Sequence, residues 1–197
     1  MSRLKLVLQE ALKMPYIGNF NGTNNHEKEI FNFLIKIGNF KEIKASDFRV
    51  EGLQNNSFVF QPYGSQKHPD FIVMENNRQF HLECKTNKTQ GFPVFNSGLP
   101  PENCIYIFSS GKHNQTTLFT GKSVLTKEKR NLYKELDKKY REILKEFRDH
   151  PSWQDDRGWD FFPRKMYQLK GSSKKTDFFT HKNRSKCEQE ALDECTL

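Results

Sequence analysis

The sequence predicts an α/β (α+β) domain in which a central β-sheet is flanked by helices. Short apolar runs bounded by turn residues recur through the middle of the chain, at Phe58-Val59-Phe60, Phe71 to Val73, Phe80 to Cys84, Cys104 to Phe108 and Thr116 to Thr120. Their length and their aromatic or β-branched content are those of strands. Apolar residues at helical spacing mark segments on both sides of this region. At 197 residues the chain is about one domain long, enough for a core even though only 35% of it is hydrophobic and its mean hydropathy is −0.85.

Taken in order, Met1 to Leu12 reads as a short amphipathic helix, without the continuous apolar stretch and small-residue cleavage site of a secretory signal. A Gly- and Asn-rich loop, Met14 to Asn25, leads into a helix from about His26 to Ile37 with Ile30, Phe31, Phe33, Leu34 and Ile37 on its buried stripe. Glu27 lies one turn before that stripe, at its edge. An acid in a first helical turn is also favourable on helix electrostatics alone. Phe40 to Gly52 has no clear period. After the Phe58 strand comes the loop Pro62 to Lys67, and Thr86 to Gly91 reads as a polar, basic turn suited to phosphate contacts or to plain solvation. Asn103 to Ser110 holds a strand, Gly111 to Gln115 its exit loop, and Thr116 to Thr120 a further strand. A long helix spans roughly Thr126 to Arg148, with Leu132, Leu136, Tyr140, Ile143, Leu144 and Phe147 at helical spacing. Its many charges fit a solvated face, and its lysine excess also suits DNA or dimer contacts. Asp193 to Leu197 reads as a frayed tail.

His68 to Lys85 is the best-determined stretch. Asn76-Asn77 suits a two-residue hairpin turn, because Asn tolerates positive φ. Counting outward pairs Glu75 with Arg78, Met74 with Gln79, Val73 with Phe80, Ile72 with His81 and Phe71 with Leu82, which sets Asp70 opposite Glu83. Residues directly opposite share a face, so two carboxylates meet at one spot with Lys85 beside them. The other face carries Phe71, Val73, Phe80, Leu82 and Cys84, as a core-facing side should. Like charges placed opposite each other repel, and the arrangement becomes reasonable with a cation between them.

The formal charge of +8 and pI near 9.3 favour a polyanionic partner. No apolar run reaches the length of a bilayer span, so no membrane partner is expected. Cys84, Cys104, Cys187 and Cys195 form no CxxC pair, which points to reduced thiols in a cytoplasm. The spacing of His181, Cys187 and Cys195 matches no usual zinc finger.

Pro69-Asp70, followed after twelve intervening residues by Glu83-Cys84-Lys85, resembles the signature of the PD-(D/E)XK nuclease superfamily. With the size, the basic charge and the acid-bearing helix upstream, the chain looks like a small type II restriction endonuclease. The resemblance implies a mixed sheet with a restriction-endonuclease-like core, Mg²⁺ as cofactor, double-stranded DNA as substrate, and a homodimer or a monomer that nicks twice. It also implies a prokaryotic or viral-host cytoplasm. Asp70, Glu83 and the backbone carbonyl of Cys84 would hold the metal, and an acid on the first core helix, Glu27 or else Glu29, would reach the same cluster.

Phosphodiester hydrolysis needs charge neutralisation at the phosphoryl oxygens and an activated water, and carboxylate oxygens suit a hard Mg²⁺. Lys85 would orient that water electrostatically or serve as its base. Gln66, Lys67, His68, Asn87, Lys88, Lys112, Asn114 and Gln115 are candidate DNA contacts, although each also fits an ordinary polar loop. Asn96-Ser97 and Lys170 to Ser172 carry further groups of that type. Trp153, Trp159, Phe161, Phe162 and Tyr167 interleave with Arg157, Arg164, Lys165 and Lys170, ahead of Ser172 to Lys175, which suits strand tracking and a packed edge equally. A structure-specific or repair nuclease, a catalytically silent DNA-binding module and an RNA-binding protein are the alternatives.

Overall fold

The computed structural model describes residues 2–18, 25–96, 98–153, 158, 161, 166–167 and 176–196. Its centre is a six-stranded mixed sheet whose strands lie side by side in sequence order: β1 (Lys41–Glu42), β2 (Ser57–Phe60), β3 (Phe71–Glu75), β4 (Arg78–Asn87), β5 (Cys104–Ser110) and β6 (Gln115–Thr120). β1/β2 and β4/β5 are parallel and the other neighbours antiparallel. The helices are α1 (Arg3–Ala11), α2 (Asn25–Lys36), α3 (Ala45–Glu51), α4 (Gly121–Val124), α5 (Lys127–Arg148) and α6 (Arg184–Asp193).

Period-two alternation divides the core between the two faces of the sheet. Ile105, Ile107 and Leu118 join Phe71, Val73, Phe80, Leu82 and Cys84 beneath Leu4, Leu8, Ile30 and Leu34 of α1 and α2. The alternate residues Cys104, Tyr106, Phe108 and Phe119 pack on the other face with Phe95 and Phe179. β5 is buried along its whole length, which is why Cys104 to Phe108 reads as a nearly continuous apolar run.

The hairpin register is the expected one, pair for pair, from Glu75↔Arg78 to Phe71↔Leu82. Asn76 and Asn77 both adopt positive φ, 53° and 57°, as a two-residue hairpin turn requires. Several expectations need correction. Thr86 and Asn87 are not in a turn: β4 runs on through them, paired with Ser109 and Ser110 of β5. Gln115 begins β6 instead of closing the loop before it. Residues 45–51, which show no period, form α3. Ile37 is exposed, and the stripe of α2 is completed by His26. The tail is docked: Leu192 and Cys195 are buried in the main core, and Glu194 pairs with Lys122 at 2.6 Å.

Glu75 ties the sheet to the first helix. Its carboxylate accepts from the Ser2 hydroxyl and the Arg3 amide, both at 2.6 Å, and from the Leu4 amide at 3.3 Å. The amides at a helix N-terminus have no partner within the helix, and an anion there also suits the helix dipole. Ser2 caps the same turn by accepting from Lys5 N.

Candidate functional site

The site forms where β3 ends and β4 continues alone. Beyond the Phe71↔Leu82 pair the Cys84 amide has no strand partner on that side, and it donates to Asp70 Oδ2 at 2.7 Å. A strand residue directs its amide and carbonyl to the same edge, so the Cys84 carbonyl leaves β4 on the Asp70 side as well. Asp70 follows the cis His68–Pro69 peptide. Glu83, 6% exposed, is held at both oxygens: Lys85 donates to Oε1 at 2.6 Å, and His68 Nδ1 lies 2.9 Å from Oε2. Lys85 and Glu83 thus share a face, as strand alternation requires.

Electrostatics separates the two acids. Burial, then the charges of Glu83 and Glu27, pushes the Asp70 carboxyl up to about 8, against the Cys84 hydrogen bond and Lys85. Burial also raises Glu83, but the hydrogen bonds and charges of His68 and Lys85 outweigh it and hold that carboxyl below its usual range. A protonated Asp70 beside an ionised Glu83 follows at neutral pH.

Glu27 sits in the first turn of α2, where Gln61 Nε2 reaches its Oε2 at 3.4 Å. It is the helical acid whose charge reaches Asp70 and Cys84, whereas Glu29 is not among the groups acting on either. The expected acids are therefore brought into one electrostatic neighbourhood. Their oxygens are turned to protein partners, and among the described residues no three His, Cys, Asp or Glu side chains stand in metal-ligand geometry. The donor types nevertheless fit a hard cation: carboxylates and a backbone carbonyl, with Lys85 and His68 held against Glu83.

The expected DNA contacts divide. Gln66, Lys67 and Lys88 are exposed. Asn87, at the end of β4, is engaged by the loop that follows it, donating to the Phe92 carbonyl and accepting from the Thr89 and Gln90 amides. Lys112 bonds Asp177 at 2.7 Å, Asn114 accepts from the Tyr16 amide, and Gln115 accepts from Arg184. His68 belongs to the carboxylate cluster through Glu83. Of the aromatic and basic C-terminal stretch, Trp153 ends a 3-10 turn and Tyr167 bridges to Phe95. Arg157, Trp159, Phe162, Arg164, Lys165, Lys170 and Ser172 to Lys175 lie outside the described residues, as does Ser97. His181, Cys187 and Cys195 form no site: Cys195 packs in the main core, Cys187 against the second cluster, and His181 accepts from the Asn183 amide.

One residue and one contact escaped the sequence reading. His26 is fully buried, and burial lowers its imidazole to about 4, so it is a neutral core residue beside Glu27. Its spacing to Ile30 and Leu34, four residues at each step, is the signal that places it on the stripe. The hold of His68 on Glu83 crosses from the loop before β3 to β4, and no local pattern announces it.

The chain matches no family model, no curated protein and no solved structure. Among the described residues no helix is long and apolar enough to cross a membrane.

Proposed function

We propose that this protein is a Mg²⁺-dependent DNA endonuclease of the PD-(D/E)XK type, cutting double-stranded DNA at specific sites. The observation that carries the reading is the nearness of Asp70 to Glu83 at the open end of a hairpin, with Lys85 hydrogen-bonded to Glu83 and the Cys84 amide donating to Asp70. This is a general device for phosphoryl transfer, in which little covalent chemistry is asked of the protein and most of the work is positioning and charge neutralisation.

Asp70, Glu83 and the Cys84 carbonyl would hold the cation, with Glu27 behind them. When bound, Mg²⁺ supplies charge neutralisation at the phosphoryl oxygens and lowers the pKa of a coordinated water. Lys85, anchored on Glu83, presents an ammonium beside the attacking water. His68 fixes the other oxygen of Glu83, so that this carboxylate keeps one orientation. The +8 charge supplies attraction to the phosphate backbone that does not depend on sequence, and exposed Gln66, Lys67 and Lys88 lie near enough in the chain to extend it.

The test is incubation of supercoiled and linear plasmid with the purified protein and Mg²⁺, followed by mapping of the ends. Discrete fragments that disappear with Asp70→Ala and with Lys85→Ala are expected. Cleavage of branched or flapped substrates alone would move the assignment to a structure-specific nuclease. Duplex binding without any nicking in Mg²⁺ or Mn²⁺ would reduce the protein to a DNA-binding module.

A further inference from the structure

We infer that Gln61 is a positioning residue that holds Glu27 toward the cation, a role that rests on the cation site proposed above. The backbone at Gln61 is what singles it out. Its φ is 46°, in the left-handed region that costs an ordinary side chain free energy. Among the described residues the other non-glycine residues at positive φ are Asn39, Asn56, Asn76, Asn77 and Asn114, all asparagines. Asparagine suits that conformation because its short side chain hydrogen-bonds to nearby backbone, an advantage that the extra methylene of glutamine removes. A turn alone would be better served by Asn or Gly. Strain of this kind persists only where the surroundings over-determine it, and it gathers at functional sites.

The backbone of Gln61 is fixed on both sides. β2 stops at Phe60, paired with Phe71, and the Gln61 amide then donates to the Asp70 carbonyl at 2.7 Å. The Gln61 carbonyl accepts from the Gly64 amide at 3.0 Å, at the start of the loop that returns to His68. Gln61 is thus one hydrogen bond from the backbone of Asp70. Its side chain crosses to the first turn of α2, where Nε2 lies 3.4 Å from Oε2 of Glu27.

One residue therefore joins the backbone of one acid to the side chain of another, across the gap between sheet and helix. The charge of Glu27 acts on Asp70, so like charge drives the two carboxyl groups apart, and an amide donor anchored on the sheet draws Glu27 back. The neutrality of the donor matters. A lysine in its place would compete with a cation for the Glu27 oxygens, whereas an amide orients one oxygen and leaves the charge intact. Asparagine would keep the amide but end a carbon–carbon bond short, about 1.5 Å, too far for a contact that already stands at 3.4 Å. Reach is what glutamine supplies here, at the expense of its own backbone. Groups that orient metal ligands from behind commonly change metal affinity by roughly 10- to 100-fold when removed.

Gln61→Gly and Gln61→Asn in the full chain test this by two opposed readouts. Without metal, both should melt no lower than wild type, because each suits a φ of 46° better than glutamine does. Calorimetric titration with Ca²⁺ should nevertheless show affinity reduced roughly 10- to 100-fold in both. Affinity equal to wild type overturns the role, and a metal-free melting temperature several degrees lower overturns it in favour of a purely structural residue. The route through Glu27 is read by a double variant: Glu27→Gln should weaken Ca²⁺ binding, and adding Gln61→Gly should weaken it no further. Losses that add in full overturn that route. A wild type that binds no Ca²⁺ overturns the cation site and this role with it. Ca²⁺ binding that is weakened in the variants, beside a wild type that cuts no DNA in Mg²⁺, would uphold the role of Gln61 while removing the nuclease reading.

Discussion

Asp70 accepts the Cys84 amide at 2.7 Å across the open end of the β3–β4 hairpin, and this side chain takes the place of the strand partner that β3 no longer supplies. The same carboxyl group faces Glu83 and Glu27, so it serves the backbone while crowded by like charge.

The first prediction concerns pH. Asp70 titrates at about 8 in the folded protein, above its ordinary value of 3.8. A raised carboxyl contributes stability that is full below about 4 and is lost as pH rises through 8. Metal-free wild type should lose stability across that interval, by up to a few kcal/mol. Asp70→Asn keeps an oxygen for the Cys84 amide and removes the titration, so its melting temperature should be flatter between pH 5 and 8. A wild type as flat as the variant there would exclude the shift. Glu83, lowered in the fold, acts oppositely and only under acidic conditions.

Divalent cations supply the second test. Mg²⁺ or Ca²⁺ should raise the melting temperature of wild type by an amount set by concentration over affinity. The gain should be greater at pH 8 than at pH 6, because binding must displace the Asp70 proton. Asp70→Asn should show little gain at either pH. Differential scanning fluorimetry with titrated metal measures all four conditions, and an equal gain in both proteins would place the cation elsewhere.

Lys85→Ala separates chemistry from binding. Cleavage should fall by roughly 10²–10⁴-fold. The metal-dependent gain in melting temperature should persist, because the carboxylates remain. Removing the ammonium leaves the buried Glu83 with only His68, which should lower stability by about 1–3 kcal/mol at neutral pH. Unchanged cleavage would remove Lys85 from the mechanism.

Glu75→Ala tests the tie between sheet and first helix. It strands two amides and a hydroxyl at the partly buried start of α1, for an expected loss of about 1–3 kcal/mol in chemical denaturation. Glu75→Gln retains acceptors and should recover part of it. A loss below about 0.5 kcal/mol, the range of ordinary surface substitutions, would contradict this role.

Gly91 is an exclusion by space. A methyl group there would land within the Asp177 carboxylate, which is held low, at about 2, where bonds from Lys112, His113 and the Phe179 amide outweigh burial. Gly91→Ala should destabilise by about 1–3 kcal/mol, and adding Asp177→Ala should cost less than the two single changes summed. Strict additivity would show that the loops yield without strain.

What the sequence discloses is what is local. Asn76-Asn77 and the alternation beside it determine the register, hence the facing of Asp70 and Glu83. The 3.6-residue period of 127–148 marks α5, and the same period conceals that its apolar stripe faces water, since periodicity does not name a partner. Thr86-Asn87 looks like a turn because its residues are polar, yet pairing with β5 keeps it in the sheet. Glu75 counts as one half of a cross-strand pair with Arg78 until the fold brings Ser2 to it from the far end of the chain. α6 is hard to read because most of its surface is charged, although Leu192 and Cys195 anchor its end in the core.

The order of assembly carries a further consequence. A hairpin with a two-residue turn closes in about 1–10 μs, whereas β4 and β5 can pair only after the long connection 88–103 has folded back. The repulsion between Asp70 and Glu83 is therefore encountered at one of the earliest steps, within a unit too small to offset it by burial. A proton or a cation that neutralises the pair acts on the rate at which this chain reaches its native state, as well as on the stability of that state.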